Sequence, residues 1–198
     1  MIEDLKNKVV LITGASTGIG AGAAKAFGAN GAKVAIHYNK SKAEAEKVAA
    51  AVEKSGGKAM LVAGDVTDSA ICRQIVDKTV SGFGRIDVLI NNAGGLIERA
   101  PIESITDELF DKVLYLNVRS AMICTGAVAQ HMRKQGGGAI INVTSVAARH
   151  GGGPGASLYA GSKGFFSTMT RGLAKELVKD KIRVNAVAPG VITTPFHE

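Results

Sequence analysis

The stretch KVVLITGASTGIG, residues 8–20, places a glycine-rich turn directly after an apolar run. The run KVVLIT (8–13) consists mostly of β-branched and aliphatic residues, as expected of a parallel strand that is covered on both faces. A helical pattern begins within the glycine-rich stretch and continues after it. Glycines between a strand and a helix allow a tight turn, and the free N–H groups and dipole of the helix N-terminus attract phosphate. The stretch therefore predicts a dinucleotide-binding turn.

The alternation of strand and helix continues along the whole sequence. Five further apolar runs predict strands: KVAIHY (33–38), KAMLVA (58–63), DVLINN (87–92), AIINVT (139–144) and IRVNAV (182–187). Helical patterns lie between them, over residues 18–30, 41–55, 68–82, about 103–134 and 157–180. This order predicts one α/β domain over residues 1–198, with a doubly wound parallel sheet of the Rossmann type in three α/β/α layers. The glycine-rich segment 151–155 is predicted to be a loop within this domain.

Composition argues against several classes of protein. Apolar residues make up 46% of the chain, which indicates a globular rather than a disordered protein. No apolar run approaches the ~18 residues that a membrane-spanning helix needs. The first residues, MIEDLKNKVVLI, do not resemble a signal peptide, and Cys72 and Cys124 are expected to be reduced thiols. We therefore expect a cytoplasmic protein with no membrane partner.

The net charge of +7 raises the alternative of a nucleic-acid-binding protein. The basic residues are interspersed with acidic ones, however, and aromatic residues make up only 5% of the chain. No basic stretch carries the stacking rings that single-strand binding needs. We expect no nucleic-acid partner, because a positive surface equally attracts an anionic cofactor or substrate.

The glycines follow the spacing G-x-x-x-G-x-G, in which the sequence resembles the short-chain dehydrogenase/reductase family. Further motifs of that family follow the third, fourth and sixth predicted strands, so the resemblance covers essentially the whole chain. It implies an NAD(P)-dependent oxidoreductase. The residues that it implies for cofactor binding are Gly14, Ser16, Thr17, Gly18, Ile19, Gly20, Tyr38, Asn39, Lys40, Ser41, Asp65, Val66, Asn91, Ala93, Gly94, Tyr159, Lys163, Pro189, Gly190, Ile192 and Thr193.

The end of the second predicted strand bears on the choice between NAD and NADP. An acidic residue there binds the ribose 2′-hydroxyl of NAD, but this chain has no acid between His37 and Ser41. Lys40 and Ser41 can satisfy a 2′-phosphate, although Lys40 can equally be a surface residue at the start of a helix. Thr17 stands where many NADP-dependent relatives have arginine. NADP is the preferred prediction, and NAD is the alternative.

Tyr159 and Lys163 lie four residues apart in a predicted helix, which puts both side chains on one face. A free phenol has a pKa of about 10, too high for a base near neutrality. An ammonium ~4 Å away favours the phenolate by ~4 kcal/mol, which lowers the pKa by roughly three units. General acid–base catalysis needs a pKa near the working pH. Because any helix can carry such a pair by chance, its meaning depends on the residues that accompany it.

The family resemblance supplies these companions. Ser145 ends the fifth predicted strand, where the family has a serine that hydrogen-bonds the substrate oxygen, and Thr144 is the fallback. Asn117 matches the family asparagine that binds a water in a proton relay. The implied reaction is hydride transfer between the nicotinamide and a carbonyl or secondary alcohol. In it, Tyr159 exchanges the proton, Ser145 orients the oxygen and Lys163 holds the ribose.

Two other functions are compatible with the same sequence: a carrier-protein reductase and a dinucleotide sensor without catalytic activity. Overall the chain also resembles 3-oxoacyl-[acyl-carrier-protein] reductases and glucose-dehydrogenase-like members of the family. The former carry arginines for the acidic carrier protein where this chain has Gly136 and Asp180, so a small-molecule carbonyl or alcohol is the preferred substrate. A catalytically silent dinucleotide sensor should have lost part of the catalytic set, all of which is present. No metal is expected, because the histidines lack ligand-like spacing: His37, His131, His150 and His197.

The resemblance also bears on assembly and length. Family members usually pair their fourth helix and their Tyr/Lys helix across twofold axes, so we expect a homotetramer. The matching segments 107–134 and 157–179 carry more apolar residues than one sheet should cover: Leu109, Phe110, Val113, Leu114, Phe165, Phe166 and Met169. Relatives continue into a helical lid and a seventh strand after the sixth. We therefore expect residues 1–198 to be a C-terminally incomplete catalytic domain.

Overall fold

Parallel strands form the centre of the molecule in the computed structural model, which describes residues 2–194. The strands form one sheet in the order β3-β2-β1-β4-β5-β6, and every neighbouring pair is parallel. Their bounds are β1 (Val9–Ile12), β2 (Lys33–Tyr38), β3 (Lys58–Ala63), β4 (Val88–Asn91), β5 (Gly138–Val143) and β6 (Ile182–Val187). The helices are α1 (Gly18–Ala29), α2 (Lys42–Lys54), α3 (Ser69–Phe83), α4 (Asp107–Leu114), α5 (Ser120–Lys134), α6 (Ala147–His150) and α7 (Ser157–Leu177).

Helices cover both faces of the sheet, as the continuous apolar strands predict. Alternate residues of β1 point to opposite faces: Leu11 belongs to one core cluster, and Val10 and Ile12 belong to the other. The cluster around Leu11 packs α3, α5 and the end of α7 against the sheet. The other cluster packs α1 and α2. The prediction of a single doubly wound domain with three layers is confirmed.

The strand order reverses at β1, which pairs with β2 on one side and with β4 on the other. Leu11 thus lies between Ala35 of β2 and Leu89 of β4. In an open parallel sheet, ligands bind outside the carboxyl ends of the strands at such a switch point. The glycine-rich turn after β1 and the residues after β4 meet at this edge.

The long predicted helix over residues 103–134 differs from the structure in two respects. It begins at Asp107, because the Thr106 hydroxyl accepts a hydrogen bond from the Leu109 N–H at 3.2 Å and caps the helix there. A separate 3-10 turn occupies Ile102–Ser104. The helix also contains a π-helical turn, Tyr115–Arg119, between α4 and α5. Single π turns of this kind are frequent at functional sites.

Two further observations concern the helices. The apolar residues that favour assembly divide between interior and surface: Val113 and Phe166 are each 1% exposed and belong to the core, whereas Phe110 and Phe165 are 46% and 52% exposed. Among residues 2–194, no helix is both long enough and apolar enough to cross a membrane.

Candidate active site

A cleft of about 970 Å³ runs along the carboxyl edge of the sheet at the switch point. Segments that follow all six strands contribute to its walls, together with the first turns of α7. Most of the predicted site residues line it: Gly14, Ser16, Thr17, Gly18, Ile19, Asn39, Lys40, Ser41, Asp65, Val66, Ala93, Gly94, Ser145, Tyr159, Lys163, Pro189, Gly190 and Ile192. The fold thus brings together residues that lie up to 178 positions apart, from Gly14 to Ile192.

The glycine-rich turn packs closely against the segment after β4. The Asn92 side-chain amide donates hydrogen bonds to the carbonyl oxygens of Thr13 and Gly14, at 2.9 and 2.8 Å. A Cβ atom on Gly20 would lie 2.5 Å from the Asn92 amide nitrogen. Gly20 is therefore needed for the start of α1 to approach this turn. The Thr17 side chain forms no capping hydrogen bond and the first turn of α1 has no acidic residue, so neither occupies the N–H groups that face the cleft.

Polar residues after β2 and β3 form one end of the cleft. Asp65 lies there with Asn39, Lys40 and Ser41. Hydrogen bonds from the backbone and side chain of Thr67 lower the pKa of Asp65, and a hydrogen bond from Asn39 and the positive charge of Lys40 contribute further. Asp65 is therefore ionised at neutral pH and holds Asn39 and Lys40 near it.

Lys163 lies at the other end of the cleft from Asp65, on the side of the cleft that is buried in the protein. Its Nζ atom donates a hydrogen bond to the Val143 carbonyl oxygen at 2.9 Å, and the side chain is 3% exposed. Burial lowers the pKa of this ammonium to about 8. At neutral pH the lysine is therefore a buried cation beside the last residue of β5.

Tyr159 and Ser145 form a hydrogen-bonded pair next to this cation. Burial raises the pKa of the Tyr159 phenol, and the hydrogen bond with Ser145 offsets part of that increase. The net shift of the Tyr159 pKa is therefore upward, whereas the sequence predicted a lowered pKa. The lysine Nζ atom lies 5.9 Å from the centre of the tyrosine ring and is directed to the carbonyl of Val143. The phenol is thus protonated at neutral pH and suited to donating a proton.

Asn117 lies behind the cleft wall in the π-helical turn and is fully buried. Its amide pairs with both backbone groups of Gly95: the Gly95 N–H donates to Oδ1 at 3.0 Å, and Nδ2 donates to the Gly95 carbonyl at 2.8 Å. A Cβ atom on Gly94 would lie 2.7 Å from the Asn117 Oδ1 atom and 3.0 Å from the Lys163 Nζ atom. Asn117 and Lys163 therefore approach each other across a residue without a side chain.

Sequence comparison decides the family. The sequence profile of the short chain dehydrogenases matches residues 8–198. The chain belongs to the short-chain dehydrogenase family. It is an oxidoreductase enzyme, as the glycine spacing and the Tyr159–Lys163 pair predict. One relative of this short-chain dehydrogenase is a 3-oxoacyl-[acyl-carrier-protein] reductase of Synechocystis. It is 40% identical, and the match covers 98% of this chain and 78% of the relative.

Solved structures of the family resemble this short-chain dehydrogenase closely. The NADH-dependent reductase A1-R′, crystallised with NAD, has a TM-score of 0.92 and 39% identity, over 98% of this chain and 82% of that one. A short chain dehydrogenase of Burkholderia cenocepacia in complex with NADP has a TM-score of 0.91 and 37% identity, over 97% of this chain and 77% of that one. Members with either dinucleotide thus share the fold.

Five predicted site residues of this short-chain dehydrogenase lie outside the cleft wall. Gly20 and Asn117 support it from behind, and Tyr38 packs against the core. The Asn91 side chain is 2% exposed and donates to Thr125 Oγ1 and Asn142 Oδ1, each at 3.0 Å, because it points into the core from β4. After β6, Thr194 rather than Thr193 lines the cleft.

The structure adds cleft residues that the sequence analysis did not assign. The cleft wall includes Arg99 and His150, on the segments after β4 and β5. Thr144, the fallback for Ser145, also lines the cleft, but its hydroxyl donates to the Val187 carbonyl at 2.9 Å. The other unassigned wall residues are His37, Asn92, Leu96, Leu116, Val143, Val146, Ala147, Gly152, Gly153, Ala156, Val191 and Thr194.

Among residues 2–194, no three His, Cys, Asp or Glu side chains cluster as a metal site would require. His197, one of the four histidines, lies outside the described residues.

Proposed function

We propose that the protein interconverts a small carbonyl compound and a secondary alcohol by hydride transfer with a nicotinamide dinucleotide. The observation that carries the proposal is the hydrogen-bonded pair of Tyr159 and Ser145 in the cleft, with the buried Lys163 ammonium beside it. In reduction, the Tyr159 phenol donates a proton to the substrate oxygen while the Ser145 hydroxyl orients that oxygen. In oxidation, Tyr159 accepts the proton as the phenolate, so this direction needs a higher pH than reduction does.

The residues at the glycine-rich end fit a pyrophosphate. Ser16, Thr17 and Gly18 line the cleft where α1 begins, and its first N–H groups have no partner within the helix. Ala93 and Gly94 line the middle of the cleft, and Pro189, Gly190 and Ile192 line the end near Tyr159. When bound, the dinucleotide supplies or accepts the hydride. The Lys163 ammonium holds ribose hydroxyls, since only one of its three protons is needed for the bond to Val143.

We propose NADP as the preferred cofactor and NAD as the alternative. Lys40 and Ser41 line the cleft after β2, and no carboxylate belongs to residues 37–41. Such a site favours a 2′-phosphate by charge and hydrogen bonding. The nearby Asp65 carboxylate acts against it, because it partly neutralises the field of Lys40. Solved relatives with NAD and with NADP are both known, so direct comparison of the two cofactors is needed.

The substrate end of the cleft favours a small anionic molecule. Arg99 and His150 line it, whereas the carboxylate in the described cleft wall, Asp65, lies at the other end. The Arg99 guanidinium is a permanent positive charge, and such a charge in a cleft raises the local concentration of anions. We therefore propose a substrate with a carboxylate or similar group near the reacting carbonyl. A carrier-protein substrate is the alternative. Asp180 stands at one of the positions where carrier-protein reductases have an arginine. Its carboxylate accepts a hydrogen bond from Arg133 at 2.7 Å and would repel an acidic carrier protein.

We also propose that the protein is a cytoplasmic homotetramer. A homotetramer with twofold symmetry would cover the apolar side chains Phe110 and Phe165, which are about half exposed. We propose a cytoplasmic protein, because both cysteines, Cys72 and Cys124, are free thiols in the structure.

One assay tests the reaction. The absorbance of NADPH and of NADH would be followed with a panel of ketones, keto acids and the corresponding alcohols. Turnover with at least one small carbonyl compound is expected. Binding of the dinucleotide without turnover of any substrate would instead support a silent sensor. Turnover confined to acyl-carrier-protein thioesters would support the carrier-protein alternative.

A further inference from the structure

His37 connects two segments of the cleft from inside the sheet. It is the fifth residue of β2, its side chain is 2% exposed, and it borders the cleft. On one side, its Nδ1 atom lies 2.9 Å from the Gly14 nitrogen in the glycine-rich turn. On the other, its Nε2 atom lies 2.9 Å from the Gly64 carbonyl oxygen, just after β3. The ring therefore spans from the turn after β1 to the segment that leads into Asp65.

The two partners determine the state of the ring. A backbone N–H can only donate and a carbonyl oxygen can only accept, so Nδ1 must be the acceptor for Gly14 and Nε2 must carry the proton for Gly64. This is the neutral Nε2–H tautomer. Burial lowers the pKa of His37, which the bond to Gly64 and the charge of Asp65 only partly offset, so the ring stays neutral near pH 7. A neutral ring is required, because a protonated Nδ1 would face the Gly14 N–H donor to donor.

The backbone of the same residue strengthens the connection. The Ala15 N–H donates to the His37 carbonyl oxygen at 2.7 Å. Two consecutive N–H groups of the turn, those of Gly14 and Ala15, are thus bonded to one residue of β2. The N–H groups left for a phosphate are those that follow, at the start of α1. The direction in which these groups point depends on where the first two are held.

We propose that His37 is a positioning residue for dinucleotide binding, whose imidazole sets the spacing between the phosphate-binding turn at Gly14 and the adenine-side segment at Gly64. This inference rests on the proposed function, because it assumes that a dinucleotide occupies the cleft. A dinucleotide must contact both segments at once, so a change in their spacing weakens every contact that the cofactor makes at this end. The reacting groups at Ser145 and Tyr159 are at the other end and are not affected.

Two substitutions test the two hydrogen bonds of His37, and a third serves as a control. His37→Leu removes both, and His37→Asn keeps an acceptor near the Nδ1 position that can serve Gly14. For His37→Leu, we expect the Kd of NADH and that of NADPH to rise by about tenfold or more. A tenfold rise in Kd corresponds to a loss of only ~1.4 kcal/mol of binding free energy. His37→Asn still loses the bond to Gly64, so we expect its Kd values to lie between those of the wild type and those of His37→Leu. The third substitution, Thr79→Val, removes the buried bond from Thr79 to the Ile75 carbonyl on α3, and neither residue lines the cleft. It controls for a general loss of stability.

The readouts separate positioning from a structural role. Fluorescence titration gives the Kd values, and kcat at saturating cofactor is expected to stay within about twofold for all three variants. If the wild type bound no dinucleotide, the proposed function itself would fail. If the wild type bound and His37→Leu bound equally well, only the inference about His37 would fail. It would also fail if His37→Asn bound as weakly as His37→Leu, or if Thr79→Val lost as much affinity.

A spectroscopic measurement covers the case in which His37→Leu does not fold. Nitrogen NMR of the wild type with labelled histidine distinguishes the tautomers of a neutral ring from a charged ring. We expect one buried histidine to remain neutral with its proton on Nε2 at pH 7, and the signal to disappear in His37→Asn. A charged ring, or a proton on Nδ1, would overturn the inference.

Discussion

The Lys163 Nζ atom donates a hydrogen bond to the carbonyl oxygen of Val143 at 2.9 Å, across the gap between α7 and the last residue of β5. The bond ties the helix that carries Tyr159 to the edge of the sheet where ligands bind. The same contact buries a cation, which is unfavourable unless the charge is compensated. Function and stability therefore conflict at this residue.

This conflict predicts a pH dependence of stability. The pKa of Lys163 is about 8 in the folded protein, against 10.5 for an ordinary lysine. Between these values the unfolded chain binds a proton that the folded protein does not, so the contribution of Lys163 to the free energy of unfolding rises with pH. Relative to Lys163→Met, the wild type should gain roughly 2–3 kcal/mol between pH 7 and pH 10. Denaturant unfolding of both proteins at pH 7 and pH 10 measures this gain. If the difference in the free energy of unfolding between the two proteins did not change with pH, the lowered pKa would be contradicted.

Tyr159→Phe tests the proton donor. The substitution removes only the phenol oxygen, so kcat for carbonyl reduction should fall by roughly 10²- to 10⁴-fold while the Kd of the cofactor stays within about threefold. Tyr115→Phe is the matched control, because the Tyr115 hydroxyl contacts Asp111 at 3.3 Å and does not line the cleft. Retention of more than about a tenth of the wild-type kcat by Tyr159→Phe would argue against this role.

Lys40→Ala tests the choice of cofactor. If Lys40 binds the 2′-phosphate, its removal should raise the KM for NADPH by about tenfold and leave the KM for NADH within about twofold. The control is Lys42→Ala, because Lys42 pairs with Glu46 at 3.6 Å on the surface and does not line the cleft. Equal effects on the two cofactors would make Lys40 an ordinary surface residue.

Arg99→Gln tests the charge of the substrate. Initial rates would be compared for a keto acid and its methyl ester, which differ by one negative charge. The KM for the acid should rise by about tenfold and the KM for the ester should change little. Arg99 also donates a hydrogen bond to the Pro154 carbonyl at 2.8 Å, so its substitution can disturb the loop. A disturbed loop would raise the KM values of the acid and of the ester alike. That result would remove the support for an anionic substrate.

Phe165→Glu tests the assembly. Phe165 is 52% exposed on α7, and a carboxylate there would be buried without a partner in any interface formed by this helix. Sedimentation at micromolar concentration should give a homotetramer for the wild type and smaller species for the variant. Ile2→Glu, a substitution at a side chain that is 59% exposed near the start of the chain, should leave the assembly unchanged. A monomeric wild type would refute the proposed tetramer.

The sequence predicts the sheet well because each strand is a nearly continuous apolar run. The predicted bounds of β2, β3 and β6 agree with the structure at both ends. The π-helical turn at Tyr115–Arg119 was not predicted, since YLNVR has an ordinary helical pattern. The only local signal was Asn117, an amide in the interior of a helix. Its bonds to Gly95 depend on a contact between segments 22 residues apart.

The motif residues of the candidate site could be placed from the sequence because they follow strands, and parallel strands end at one edge. The positions of Arg99 and His150 could not be. Their segments are brought together by a backbone hydrogen bond from Ala100 to Gly155 at 3.1 Å, and neither segment has a regular pattern. Asn91 was assigned to the cofactor although it points into the core, because adjacent residues of a strand face opposite sides and a motif does not say which side.

Gly94 has a consequence for how this enzyme can change by mutation. Every missense change at its codon adds a Cβ atom, and that atom would press on both the Asn117 amide oxygen and the Lys163 ammonium. A side chain at residue 94 therefore requires Asn117 and Lys163 to move or to be replaced by smaller residues. Substitution at this single site is a route to a folded but inactive protein. In random mutagenesis it should be among the least tolerant positions, although it contributes no functional group of its own.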